Sequence, residues 1–135
     1  MRTHLRFAVL FLITVFVFVG LSAQTFIHPG IDMCREDLEL MKNKTLAGEQ
    51  PWRGAFERLK AETPLSFEVK TYAHVISGPY GKPDIGGSDL SKGAVMAYNC
   101  AVLWYITKDK AYAEKAIEII GKWSESLRSL DENNA

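Results

Sequence analysis

The stretch that decides the fold is 88-SDLSKGAVMAYNCAVLWYIT-107, followed by Lys108-Asp109 and then 110-KAYAEKAIEIIGKWSESLRSL-130. In the first segment Leu90, Ala94, Ala97, Tyr98, Ala101 and Tyr105 recur at helical spacing and predict a buried stripe. Ser88 or Asp89 is placed to cap that helix. In the second segment Ala113, Ala116, Ile117, Ile120, Trp123 and Leu127 keep the same period, out to Leu130. Asp109 is the expected cap there, and Glu118 precedes Lys122 by four residues, a favourable ordering on an exposed face. The short connection Thr107-Lys108-Asp109 makes the two helices antiparallel neighbours.

Working outward toward the N-terminus, a similar layout recurs. Asp32 is a plausible cap for a helix carrying Cys34, Leu38, Met41 and Thr45, ended by Gly48. Pro51 suits the first turn of another helix, in which Trp52, Ala55, Phe56 and Leu59 form an apolar stripe and Pro64 closes it. Between the two helix pairs the pattern breaks. Phe67, Val69 and Thr71 alternate with polar neighbours, as in a short strand or an extended loop. Then 77-SGPYGKPDIGG-87 puts four Gly and two Pro into eleven residues, which forbids regular structure. A long irregular loop between strong helices is usually functional or disordered. The periodicity thus predicts an all-α chain of antiparallel helical hairpins with one long irregular loop. The last five residues, Asp131 to Ala135, are polar and turn-like, and the fourth helix is apolar enough to need a partner that the rest of the chain does not supply.

The chain has 135 residues, with 16 basic and 16 acidic side chains, so it carries no net charge. That balance excludes the basic excess of a generic nucleic-acid binder. The 47% hydrophobic content excludes an acidic disordered chain. Phe7 to Leu21 is an uncharged apolar run broken by Thr14, preceded by Arg2 and Arg6 and followed by Ser22-Ala23. Those are the parts of a secretory signal peptide, and the run falls short of the roughly 20 residues that span a bilayer. Residues 1–23 are therefore expected to be removed, leaving 24–135 in the periplasm or outside the cell, with no membrane attachment. Export would permit a disulfide between Cys34 and Cys100, but both lie on predicted helices among apolar neighbours, and two buried thiols are the favoured reading.

Chemistry-bearing residues are few. The histidines are His4, His28 and His74, and neither a metal-ligand cluster nor a nucleotide fingerprint is present in the sequence. No metal or other cofactor is expected. Asn43-Lys44-Thr45 matches a glycosylation acceptor. The suggestive group is Tyr72, His74, Tyr80 and Lys82, beside and within the loop. Tyr and His can exchange protons, Lys can pair with an anion, and aromatic rings stack on sugars. An ordinary surface loop is the competing account. Trp104 and Trp123 lie on helices, where core packing is the commoner role.

Several strings together resemble a known family. They are Phe26-Ile27-His28-Pro29-Gly30-Ile31, Gly48-Glu49-Gln50-Pro51-Trp52, Asp89-Leu90-Ser91-Lys92, Ala97-Tyr98-Asn99-Cys100-Ala101, Leu103-Trp104-Tyr105-Ile106-Thr107, and Tyr112 to Ile120 with Trp123-Ser124. Their order and spacing resemble the N-terminal part of the alginate lyase family of exported bacterial polysaccharide lyases, over nearly all of residues 24–135. The resemblance implies the start of an incomplete (α/α) toroid. It implies β-elimination on a uronate-containing polysaccharide such as alginate, in which the uronate carboxylate is neutralised, a base removes the C5 proton, and an acid protonates the departing oxygen. The family's catalytic Asn-His and Tyr positions are expected downstream of Ala135, so no catalytic residue is assigned, and residues 24–135 alone are expected to release no unsaturated uronate. Tyr72, His74, Tyr80 and Lys82 become candidate contacts to an acidic polysaccharide. Two departures stand out. Lys108 occupies a turn where relatives often have Gly, and Gly121-Lys122 stands where they often carry Ala before Trp-Ser. The alternatives are a non-catalytic exported helical module that binds acidic glycans, and a degenerate truncated product.

Overall fold

A computed structural model describes residues 33–77 and 83–132 of the chain. The predicted signal peptide, the opening residues to Asp32, and Tyr80 and Lys82 lie outside the described residues. Among the described residues four helices form: α1 (Arg35–Leu46), α2 (Trp52–Ala61), α3 (Gly87–Thr107) and α4 (Lys110–Ser126). Three short strands accompany them: β1 (His74–Ser77), β2 (Asp84–Ile85) and β3 (Ser129–Glu132).

The all-α expectation is therefore wrong, because the chain is mixed: its described residues form four helices and a three-stranded sheet in the order β2-β1-β3. No toroid can be concluded from these elements. β1 runs antiparallel to β2, with Ser77 opposite Asp84, and parallel to β3, with His74 opposite Ser129 and Val75 opposite Leu130. A parallel pair needs a long crossover, and the α3–α4 hairpin supplies it. The reason lies at the end of α4. Its pattern predicts helix to Leu130, but the backbone turns extended at Leu127, where ψ is 127°. The Arg128 and Ser129 N–H groups then both donate to the Ala73 carbonyl, at 2.7 and 3.2 Å. These bonds to a distant part of the chain replace the last helical turn.

The helices pair much as the sequence indicates. Asp109 caps α4, its side chain accepting from the Ala111 N–H at 3.0 Å. The α3–α4 hairpin is the most extensive packing in the fold. One core cluster joins Phe56 of α2, Cys100, Leu103 and Ile106 of α3, and Tyr112 and Ala116 of α4, with Met41 of α1 and Leu59 packed against it. A second joins Val75 of β1 to Ala97, Ile119 and Trp123, and is flanked by Phe67, Val69, Tyr72 and Leu127. Phe67 and Val69 thus pack against the core from chain outside any helix or strand, and the strand forms later, at His74.

The buried face of α3 differs from the predicted stripe. Gly93, Ala97, Cys100, Leu103 and Ile106 are buried, whereas Ala94, Tyr98 and Ala101 are exposed. On α4 the buried set is Tyr112, Ala116, Ile119 and Trp123, leaving Ile117 and Ile120 exposed. Cys100 is fully buried and Cys34 is exposed, so one of the two thiols expected inside is at the surface.

Candidate functional site

Chemistry-bearing side chains collect where β1 and β2 meet the start of α3. The helix begins after Gly86, whose φ of +79° is the left-handed conformation that glycine adopts without a steric penalty. Neither Ser88 nor Asp89 caps it. Asp84 on β2 does: its Oδ1 accepts from the Ser88 N–H at 3.1 Å, and its Oδ2 accepts from the Ser88 hydroxyl. These donors hold the Asp84 carboxyl below its ordinary pKa, the Ser88 hydroxyl first and the Ser88 N–H next, with Lys92 adding a smaller charge effect. A carboxylate at a helix N-terminus also complements the helix dipole.

Tyr72 and His74, the two predicted site residues within the described chain, lie just before β1 and at its start, and meet different partners. The Tyr72 hydroxyl donates to Asp89 Oδ2 at 2.9 Å. Its half-buried ring lies against Gly86, where an added Cβ would sit 2.6 Å from Tyr72 Cδ2. Lys70 stands above that ring, its ammonium 4.9 Å from the centroid and 4.0 Å from Asp89 Oδ2. The Tyr72 hydroxyl, and after it the Asp89 carboxylate, raise the Lys70 pKa. Tyr72 therefore holds the start of α3 against the sheet. His74 is exposed, with Nδ1 3.0 Å from the Ser129 hydroxyl on β3. The structure does not bring these two side chains into one catalytic arrangement.

Two hollows lie along the first turns of α3, and neither Tyr72 nor His74 lines them. One, of about 360 Å³, is lined by Ser77, Asp84, Gly87, Ser88, Ser91 and Lys92. The other, of about 470 Å³, is lined by Glu62, Phe67, Ser91, Lys92, Val95, Met96 and Asn99. Ser91 and Lys92 border both, so the hollows adjoin along the first turns of α3. The first offers hydroxyls, a carboxylate and an ammonium. The second adds the apolar side chains of Phe67, Val95 and Met96, together with Asn99 and Glu62. Such a mixture suits a ligand that carries many hydroxyls and also has apolar faces.

Sequence reading missed Lys70, Asp84, Ser88, Ser91 and Lys92. Two signals mark four of them: Ser88, Ser91 and Lys92 follow i, i+3, i+4 on one helix face, and Lys70 precedes Tyr72 by the two-residue period of extended chain. Among the described residues no group of three or more His, Cys, Asp or Glu is arranged to hold a metal ion. Among those residues, too, no helix is long and apolar enough to cross a membrane. No protein family, curated protein or solved structure matches this chain.

Proposed function

We propose that this chain binds an acidic, uronate-containing glycan, as the N-terminal part of an exported polysaccharide lyase that cleaves such a glycan by β-elimination. The observation that carries the reading is the pair of adjoining hollows on α3 with Lys92 at their junction. Serine hydroxyls and Asp84 match sugar hydroxyls, Val95 and Met96 match the apolar faces of a pyranose ring, and the Lys92 ammonium matches a uronate carboxylate. The ordered strings from Phe26 to Ser124 support the family side of the reading, and the apolar run at Phe7–Leu21 supports export to the periplasm or the medium. The assigned role here is binding. The Tyr72 hydroxyl is engaged by Asp89 and the His74 ring by Ser129, so both would have to leave these partners to act on a proton.

The test is a calorimetric titration of the exported chain with an alginate hexasaccharide, with cellohexaose as the neutral comparison. Binding of the uronate oligomer, and at least a five-fold loss on Lys92→Ala, is the expected result. No heat with either sugar, or equal affinity for both, would sink the reading.

A further inference from the structure

The opposite end of α3 carries a second cluster. Among the described residues Lys108 is the one non-glycine residue with positive φ, at 59°. It closes α3, its N–H donating to the Trp104 carbonyl at 2.7 Å. A left-handed closing residue is usually glycine, because a Cβ there is strained. Strain of this kind persists where the side chain has other work. The Lys108 ammonium lies 4.9 Å from the Trp104 ring centroid and 4.3 Å from that of Tyr105. Lys42 of α1 approaches Tyr105 as well, at 5.7 Å. The Tyr105 hydroxyl donates to Glu39 Oε1 at 2.5 Å, and Lys42 pairs with the same carboxylate at 3.5 Å. Lys42 and Lys108 act on Glu39, and Arg35 acts on Tyr105, so cations outnumber the Glu39 carboxylate. Trp104 keeps 39% of its surface exposed, although its position on an apolar helix suggests core.

We infer that Trp104, Tyr105 and Lys108 form a second glycan contact that takes one carboxylated sugar residue. The indole edge and face receive the apolar side of the pyranose. The Lys108 ammonium has hydrogen-bond donors left after stacking on the rings, and these meet the sugar carboxylate. Lys42 keeps Glu39 neutralised so that the carboxylate does not repel the ligand. The inference rests on the acidic-glycan reading and extends it. Lys92 and Lys108 are sixteen residues apart, about 24 Å along the axis of α3 at 1.5 Å per residue and on nearly opposite faces at 3.6 residues per turn, so each takes its own ligand.

The experiment follows two signals in amide and indole NMR spectra of the exported chain: the Trp104 indole N–H, assigned with Trp104→Phe, and the Ser91 amide. Titration with the alginate hexasaccharide is expected to move both, and cellohexaose neither. Lys108→Gly should weaken binding read at Trp104 at least five-fold, leave binding read at Ser91 unchanged, and hold or raise the thermal midpoint, since glycine relieves the turn. Three outcomes would overturn the inference. If Ser91 moves and Trp104 does not, the second contact falls and the first site stands. If Lys108→Gly binds as tightly at Trp104 as the parent, or lowers the thermal midpoint and weakens both signals together, Lys108 is a helix cap alone. If neither signal moves, both sites fall.

Discussion

Tyr72 packs on Gly86 so closely that a Cβ at residue 86 would lie 2.6 Å from Cδ2 and 2.8 Å from Cγ of the ring. Gly86 also has a φ of +79°. Two separate costs thus fall on one substitution. Placing an L-residue in the left-handed region costs about 1–2 kcal/mol, and overpacking a filled contact costs about 1–3 kcal/mol. Gly86→Ala is expected to destabilise by about 2–4 kcal/mol in urea unfolding. It should also break the Tyr72–Asp89 bond, because the ring has to move. A loss below about 1 kcal/mol would mean that the ring does not sit on this glycine.

Two helical glycines should respond in opposite directions. A Cβ on Gly93 would approach Trp123 Nε1 to 2.7 Å, and Trp123 is 7% exposed, so the indole has little room to retreat. A Cβ on Gly121 meets nothing within 4 Å. Alanine gains roughly 1 kcal/mol over glycine in a helix interior. Gly121→Ala should keep that gain and stabilise by about 1 kcal/mol. Gly93→Ala should lose it to the clash and destabilise by about 1–2 kcal/mol net. Paired thermal or urea melts decide this, and equal effects would contradict the packing of α3 on α4.

What the sequence disclosed follows from how local each signal is. The Asp109 cap was legible because the N–H that it accepts from lies two residues on, and the Phe56–Leu59 stripe because its spacing is written within one turn although its partners are on α3 and α4. The face of α3 was not. That helix is apolar on most sides, so periodicity alone does not choose between the face containing Ala94 and Tyr98 and the one containing Cys100 and Leu103. What fixes the face is the close approach of Gly93 to Trp123, a contact across the hairpin that no local pattern shows. The sheet was least legible of all. His74 to Ser77 is too short for alternation to stand out, and its parallel partner Ser-Leu-Asp-Glu lies more than fifty residues on, reading locally as a polar tail. At the site, Tyr72 and His74 were picked out by residue type, whereas Lys92 and Asp84 became meaningful only once β2 met α3.

Glu118 predicts a pH dependence on α4. It accepts from Lys115 and from Lys122, both at 2.7 Å. Lys115 first, then Lys122, pull its pKa down from 4.5 to about 2. A carboxyl whose pKa is depressed in the folded state contributes stability above its unfolded pKa, and loses that contribution as the pH falls through the folded value. The window therefore runs from about pH 4.5 down to about pH 2. Unfolding of the parent and of Glu118→Gln, followed across that range, should differ most above pH 4.5 and converge near pH 2. The pair with Lys122 is largely exposed, so the difference should also shrink in high salt. Parallel curves from pH 6 to pH 2 would show that the two lysines do not hold Glu118 ionised.

The sheet makes the sharpest distinction between neighbours, at His74 and Val75. Val75 has no exposed surface and packs with Ala97, Ile119 and Trp123, whereas His74 points to solvent and meets Ser129. In a strand, successive side chains face opposite ways, so one residue of sequence separates core from surface. Val75→Ala removes two buried methyl groups and should cost about 2 kcal/mol. His74→Ala gives up one exposed hydrogen bond and should change stability by no more than about 0.5 kcal/mol. Urea unfolding of the two variants measures both. If they were equally mild, β1 would not be packed on the α3–α4 pair, and the parallel pairing with β3 would lose its anchor. The expected contrast has a further use. Because His74→Ala leaves the fold intact, any loss of hexauronate affinity in that variant reports on the imidazole itself, which Tyr72 substitutions cannot do while Tyr72 also holds Asp89 and covers Gly86.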